Sequence, residues 1–290
     1  MTAGATTRGV LLALALLAAT PASPAAEPPA KPRRIVSLYL CADQLLLQLV
    51  GRERIVSLDH LVTDEDSSYM AAAAKGIPVN YGTAEEAIAL KPDLVVTGPW
   101  AQRSRIDLLR RFDVPVLEVG LVDSLDGIRR ETLRVAEALG EAERGQALVA
   151  EMDARLVAAR AARAAGQRPT AAVYMASCVA VGRGTLVDEL LDVAGFDNLA
   201  SRLGLDGYGY LPLETLVVAH PDLLIMDRER PRRPSLASTR LQHPVLRALY
   251  AGHHVVALPE RLWTCPGTFT AEAVDILAEA RRAILSEAPR

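Results

Sequence analysis

Cys41, Cys178 and Cys265 hold the most reactive side chains in this chain, and each falls in a loop just after a predicted strand. Thiolates at such positions are soft ligands suited to a metal or a metal chelate. Cysteines of an exported chain usually pair instead, and a Cys41–Cys265 disulfide would clamp two halves of the molecule if their loops meet. A third reading makes them small buried residues with no chemistry. With three cysteines in the chain, pairing within it leaves one thiol over. No CxxC or HxxxH spacing supports a zinc site. Of the histidines, His60 follows a strand and can reach a cleft. His220, His243, His253 and His254 fall in turns, and no histidine metal site is expected.

The aromatic residues are few and concentrated in the same kind of loop. The chain has three Phe, two Trp and seven Tyr. Tyr39 stands with Leu40 and Cys41 after the first strand, and Trp100 with Arg103 after LVVTG. Ser177 and Cys178 follow a later strand, Tyr208 and Tyr210 lie in DGYGY, and Trp263 shares RLWTCPG with Cys265. Loops at strand ends are where α/β sheets hold ligands, and aromatic walls suit a large, flat or partly apolar one. Arg103, Arg183 or Arg202 could neutralise an anionic ligand. No GxGxxG, GxxxxGK[ST], GxSxG or HExxH is present, so the usual nucleotide, hydrolase and metalloprotease signatures are missing. GRG at 182–184 lacks the rest of a phosphate-binding pattern.

The elements that must position these residues come from a repeat. Glu85-x6-Pro92-Asp93-Leu94-Val95-Val96 is matched by Glu214-x6-Pro221-Asp222-Leu223-Leu224-Ile225. In both copies a helix-forming stretch meets a Pro-Asp turn and then a β-branched run. Proline stops the helix and biases its predecessor towards an extended conformation. The apolar run reads as a strand buried on both faces. Strands are predicted at 34–38, 55–59, 77–79, 94–97 and 114–119, with helices at 43–50, 84–90 and 103–112. After a helical stretch from 125 to 165 the pattern restarts: strands at 170–176, 223–227 and 254–258, helices at 185–194, 213–220, 244–250 and 271–286. Alternation of this kind predicts an α/β fold of two Rossmann-like lobes with parallel sheets and a ligand cleft between them. The boundaries read as an N-terminal lobe over 34–140, a connecting helix over 141–166 and a C-terminal lobe over 167–290.

The N-terminus reads as a segment outside the fold. Arg8, the apolar run Val10–Ala19 and TPASPAAEPPAKP make a secretory signal peptide over 1–26, cleaved after Ala25 or Ala26. Residues 27–33 form a flexible lead-in. With no cysteine near the cleavage zone, a periplasmic location without a lipid anchor is expected. Half the residues are hydrophobic and the formal net charge is −3, which gives no basic footprint for nucleic acid.

RIVSL, IVSLD, EEAIALKPDLVV, GTLVDELLDVAGFDNLA, PLETLVVAHPDLLIMD and HHVVALP, in that order and spacing, resemble the periplasmic solute-binding proteins of the iron-chelate and vitamin B12 family, which feed ABC importers. The resemblance covers essentially the whole mature chain. It implies the class III arrangement, two lobes on a stiff helix, and a monomeric non-enzymatic carrier without cofactor. Its cargo would be a metal chelate: a corrinoid, a ferric siderophore or haem. It also implies that Glu85 and Glu214, with Glu86 as a substitute for the first, dock into arginine pockets of an ABC permease dimer in the inner membrane. The same carboxylates can equally be first-turn acids favoured by the helix dipole. The cysteine-bearing loops depart from the family's pattern and leave the chelate open. A chelatase- or oxidoreductase-like enzyme on a similar fold, or a soft-metal binder using the cysteines, remains the alternative.

Overall fold

A computed structural model describes residues 31–163, 168–226, 244–249 and 254–287. The expected signal peptide, residues 27–30 of the lead-in, Gly166, Asp227, the 228–238 loop, His243, Tyr250 and His253 lie outside the described residues. No described helix is long and apolar enough to cross a membrane.

The first sheet contains β1 (Ile35–Ser37), β2 (Ile55–Asp59), β3 (Val79–Asn80), β4 (Leu94–Thr97) and β5 (Val116–Glu118). Their order is β3-β2-β1-β4-β5, with every pair parallel. Around it stand α1 (Leu40–Leu49), α2 (Ala71–Ala74), α3 (Ala84–Ala89) and α4 (Arg103–Arg111). Adjacent strand residues enter different cores. Ile35, Leu94 and Val96 pack with α1, while Val36 and Val95 pack with Ala84, Ala87 and Leu109. Period-two burial on both faces is why these strands read as unbroken apolar runs.

Helix α1 begins three residues before the predicted start. Leu40, Cys41 and Ala42 are therefore helical rather than looped, with Tyr39 at the N-cap. Burial of Leu40 and Ala42 in the first core favours the extra turn over a solvated loop.

The second sheet holds β6 (Thr170–Met175), β7 (Val179–Val181), β8 (Asp197–Asn198), β9 (Tyr208–Tyr210), β10 (Leu223–Met226) and β11 (Val255–Ala257). Its order is β11-β10-β6-β7-β9, with β8 also beside β6. It is a mixed sheet, which corrects the expectation of two parallel ones. β7 runs antiparallel to β6 and β9. Only the three residues 176–178 separate β6 from β7, with Ser177 at φ 63° and Cys178 at φ 60°. A turn that short can only reverse the chain, since a parallel return needs a crossover of a dozen residues or more. The accompanying helices are α7 (Leu186–Ala194), α8 (Leu199–Arg202), α9 (Leu213–Ala219), α10 (Pro244–Leu249) and α11 (Ala271–Glu287).

The two copies of the repeat occupy equivalent places. α3 leads to β4, which lies beside β1; α9 leads to β10, which lies beside β6. The aspartate after each proline pins the neighbouring strand. Asp93 accepts the backbone N–H of Arg33 (2.7 Å) and Arg34 (2.9 Å), and Asp222 accepts Thr170 N–H (2.7 Å) and Thr170 Oγ1 (2.9 Å). The residues before the prolines, Lys91 (φ 49°) and His220 (φ 43°), are left-handed rather than extended. Each continues the hydrogen bonding of the helix it ends, Lys91 N–H to Ile88 and His220 N–H to Leu216. Helix closure outweighs the pre-proline bias at both positions.

Two helices, not one, span the cores. In α5 (Leu125–Ala138) the first turns, at Leu125 and Ile128, pack in the second lobe, and the last, at Val135 and Ala136, pack in the first. Gly140 (φ 71°) turns the chain. α6 (Ala142–Ala162) then returns, with Leu148 against the first core and Met152 and Leu156 inside the second. An antiparallel pair resists bending better than a single helix.

Candidate ligand-binding site

The carboxyl ends of the first sheet carry a row of aromatic side chains. Tyr39, half-buried, lies across the end of β4, where a Cβ on residue 98 would sit 2.5 Å from Tyr39 Cδ1, so only Gly98 fits beneath the ring. Burial raises the Tyr39 phenol above its ordinary value. Next along the edge, Asn80 stitches the strand ends together. Its Nδ2 donates to Ser37 O and Leu58 O, both at 2.9 Å, and its Oδ1 accepts from Gly82 N–H at 3.0 Å. That bracket fixes the turn carrying Tyr81, whose ring lies 5.0 Å from His60. Tyr81 is 70% exposed and Trp100 76%. Both rings project into solvent. Asn80, Tyr81 and Gly98 were missed from the sequence, although VNYGT and TGPW carry the turn signals that would have flagged them.

On the second sheet, Tyr208 and Tyr210 stand two residues apart on β9 and so share one face, both exposed. Trp263 packs half-buried against the second core, and its Nε1–H finds no acceptor among the described residues. Arg103 is exposed in the first turn of α4. Arg183 and Arg202 are engaged by Asp206 (3.4 Å) and Asp197 (3.9 Å).

Four of the expected ligand contacts are drawn into the interior or into a covalent bond. Leu40 and Cys178 are core residues, buried among apolar neighbours. Cys41 and Cys265 form a disulfide (2.07 Å), so neither offers a thiolate. Among the described residues no group of three or more His, Cys, Asp or Glu side chains could hold a metal ion. The bond joins the first turn of α1, just after β1, to the loop after β11. It brings the carboxyl sides of both sheets together at one seam. Thr268 Oγ1 donates to Gln48 Oε1 (2.9 Å), Tyr69 stacks on Phe269 at 4.2 Å, and Tyr69 OH bonds Glu272 (2.6 Å), all across the same seam. A cavity of about 150 Å³ lies beside these contacts, between Gln48, Tyr69, Met152, Arg155 and Glu272. It is too small for a chelate, which needs at least about 300 Å³.

The periplasmic binding protein family model matches residues 35–262. The chain belongs to that family. Solved structures agree across nearly the whole fold. The apo periplasmic heme-binding protein RhuT from Roseiflexus sp. RS-1 is 26% identical, with a TM-score of 0.69 over 86% of this chain and 98% of that one. The periplasmic heme-binding protein BhuT, in complex with two hemes, is 26% identical, with a TM-score of 0.66 over 88% and 100%. The vitamin B12 binding protein BtuF of Vibrio cholerae shares the fold at 17% identity, with a TM-score of 0.63 over 89% and 99%. No curated protein matches the sequence.

In this periplasmic binding protein the repeated glutamates sit at matching places. Glu85 and Glu214 are exposed in the first turns of α3 and α9. Both helices start at the carboxyl side of their sheets, so the two carboxylates lie on the rim that carries the aromatic rings. Glu86 is otherwise occupied. It accepts from Tyr81 N–H (3.0 Å) and Thr83 Oγ1 (2.9 Å) and completes a capping box with Thr83. The Thr83 hydroxyl, followed by the Tyr81 N–H, lowers its pKa.

Beneath the rim, Asp43 is fully buried in α1 and accepts Asp59 N–H at 3.1 Å. Burial pushes its carboxyl well above the usual range. The Ser37 hydroxyl opposes that, the Asp59 charge adds to it, and the Asp59 N–H opposes it. A carboxyl raised in the folded state stabilises most below its unfolded pKa of about 4 and loses that contribution as pH rises through the folded value. Asp43→Asn is therefore expected to flatten the fall in melting temperature between acid and neutral pH. Parallel profiles for the variant and the parent would refute the assignment.

Proposed function

We propose that this periplasmic binding protein is the solute-receiving component of an ABC importer, and that its cargo is a metal tetrapyrrole, haem before a corrinoid. The observation that carries the reading is the aromatic rim. Tyr39 laid over Gly98, Tyr81 beside His60 and the exposed Trp100 stand on the carboxyl side of the first sheet, and Tyr208 and Tyr210 stand exposed on the edge strand β9 of the second. Flat aromatic faces match a planar macrocycle by stacking and apolar burial. The two periplasmic heme-binding proteins that are each 26% identical to this chain support the same class. Function by this reading is enclosure and hand-over with no covalent step, the loaded lobes meeting the permease through Glu85 and Glu214. The chain works in the periplasm after removal of the N-terminal segment.

Intrinsic fluorescence of the mature protein, titrated with ferric haem, cyanocobalamin and a ferric hydroxamate siderophore, tests the reading. Saturable quenching by haem at micromolar concentration or below is expected, and Trp100→Phe should remove most of it. Saturation by the siderophore alone would reassign the cargo, and turnover of any of the three would replace the carrier by an enzyme.

A further inference from the structure

The loop after β11 does not stay with its own lobe. Leu262 lies in the second core, Cys265 in the first, and Phe269 back in the second. The segment 262–269 is therefore a strap that reaches into the neighbouring lobe and returns. It runs along α1. Cys41, Gln44 and Gln48, spaced by three and four residues, share one face of that helix. Cys41 bonds Cys265, Gln44 Oε1 accepts the Tyr69 N–H at 2.8 Å, and Gln48 Oε1 accepts the Thr268 hydroxyl at 2.9 Å. The first of these contacts and the last are about 10 Å apart along the helix axis. The far end of the strap is also held by the Tyr69–Phe269 stack at 4.2 Å. The near end is held by the disulfide, and this is the end that bears on the ligand site. Tyr39, the N-cap of α1, stands two residues before Cys41, and Trp263 stands two residues before Cys265. One covalent bond thus yokes an aromatic residue of each lobe.

From this arrangement we infer that the Cys41–Cys265 bond is a positioning element of the ligand site, and that its redox state sets how tightly the cargo is held. Oxidised, it keeps the head of α1, with Tyr39, against the loop that carries Trp263, so both rings are placed before the ligand arrives. A dithiol undoes it. One thiolate of the reagent attacks Sγ of Cys41, which is half-buried where Cys265 is 4% exposed. The S–S bond breaks, and Cys265 leaves as a thiolate and takes up a proton. The reagent's second thiolate then attacks the mixed disulfide at the reagent's own sulfur and frees Cys41 as a thiol. Two electrons and two protons have passed to the protein, and the reagent ends as a cyclic disulfide. The freed loops must then be ordered again when cargo binds, which for two aromatic side chains costs about tenfold in affinity. Linkage makes the effect reciprocal, since cargo that prefers the oxidised protein makes the bond harder to reduce by the same factor. The inference rests on the cleft receiving a metal tetrapyrrole.

The test uses gallium(III) protoporphyrin IX, which has the charge and shape of ferric haem but takes no electrons from thiols. It is titrated into the oxidised mature protein and into the same protein reduced with dithiothreitol, at a temperature where circular dichroism shows both forms folded. The reduced form should bind about tenfold more weakly, with the loss in the release rate. The Cys41→Ser/Cys265→Ser variant should match the reduced form and ignore the reductant, and the comparison of the parent's two states stands without it. Equilibration in mixtures of reduced and oxidised dithiothreitol should place the midpoint potential of the bond about 30 mV lower with saturating porphyrin than without, the equivalent of tenfold for two electrons. A bond that only strengthens the fold gives equal affinities and a potential unmoved by porphyrin, and that result overturns the inference. If the oxidised protein binds no porphyrin, the tetrapyrrole reading fails, and hydrogen exchange decides the positioning. Faster exchange of the amides in the first turns of α1 on reduction then supports it, and unchanged exchange overturns it.

Discussion

Replacing Glu85 and Glu214 together by alanine is expected to stop delivery of the cargo while leaving its binding intact. The argument begins with the repeat. Both glutamates occupy the first turn of a helix that precedes a pinned parallel strand, so they are held on separate lobes by equivalent scaffolds. Neither carboxylate forms an ion pair among the described residues, whereas the neighbouring Glu86 is consumed by its capping box. Losing one partner of an interfacial charge pair costs about 2–5 kcal/mol, so even one glutamate at the low end weakens docking by tens of fold. Uptake restored to cells lacking the native chain measures the effect, and ligand affinity of the purified variant provides the control. Single variants should show intermediate uptake, and Glu86→Gln should dock normally. Wild-type uptake by the double variant would assign both residues to the helix dipole alone.

The second large effect concerns the disulfide. Cys41 and Cys265 are separated by 224 residues, so the bond closes almost the whole described chain into one loop. Loop-closure entropy for a span of that size gives on the order of 5 kcal/mol of stabilisation. In a chain of this length each kcal/mol moves the melting temperature by about 2–4 °C. The Cys41→Ser/Cys265→Ser variant is thus expected to melt at least about 10 °C below the oxidised parent. Dithiothreitol should lower the parent to the same point and leave the variant unmoved. A parent insensitive to reductant would show that the seam is held by Tyr69–Phe269 and Thr268–Gln48 without need of the bond.

The elements were readable where local chemistry and tertiary demand agree. Strands buried on both faces announced themselves as apolar runs, and the helices predicted at 84–90 and 185–194 lie where the structure has α3 and α7. What escaped was fixed by contacts distant in sequence. β7 and β9 carry short, mixed segments whose partners are set by the turn at 176–178. The start of α1 was misplaced because Leu40 is drawn into a core that its own neighbours do not reveal. For the site, the aromatic residues were visible by type and position, yet Tyr81 and Gly98 acquire meaning only once Asn80 and Tyr39 are placed beside them. Pairing of Cys41 with Cys265 was one of three readings of the cysteines, beside metal ligation and inert burial, and their separation in the chain gave no means of choosing.

Cys265 belongs to the core of the first lobe, packed among residues that lie at the opposite end of the chain. A ribosome makes the polypeptide from its N-terminus, so the first lobe lacks part of its interior until nearly all of the protein has been synthesised. The final packing step, and the oxidation that secures it, therefore come last.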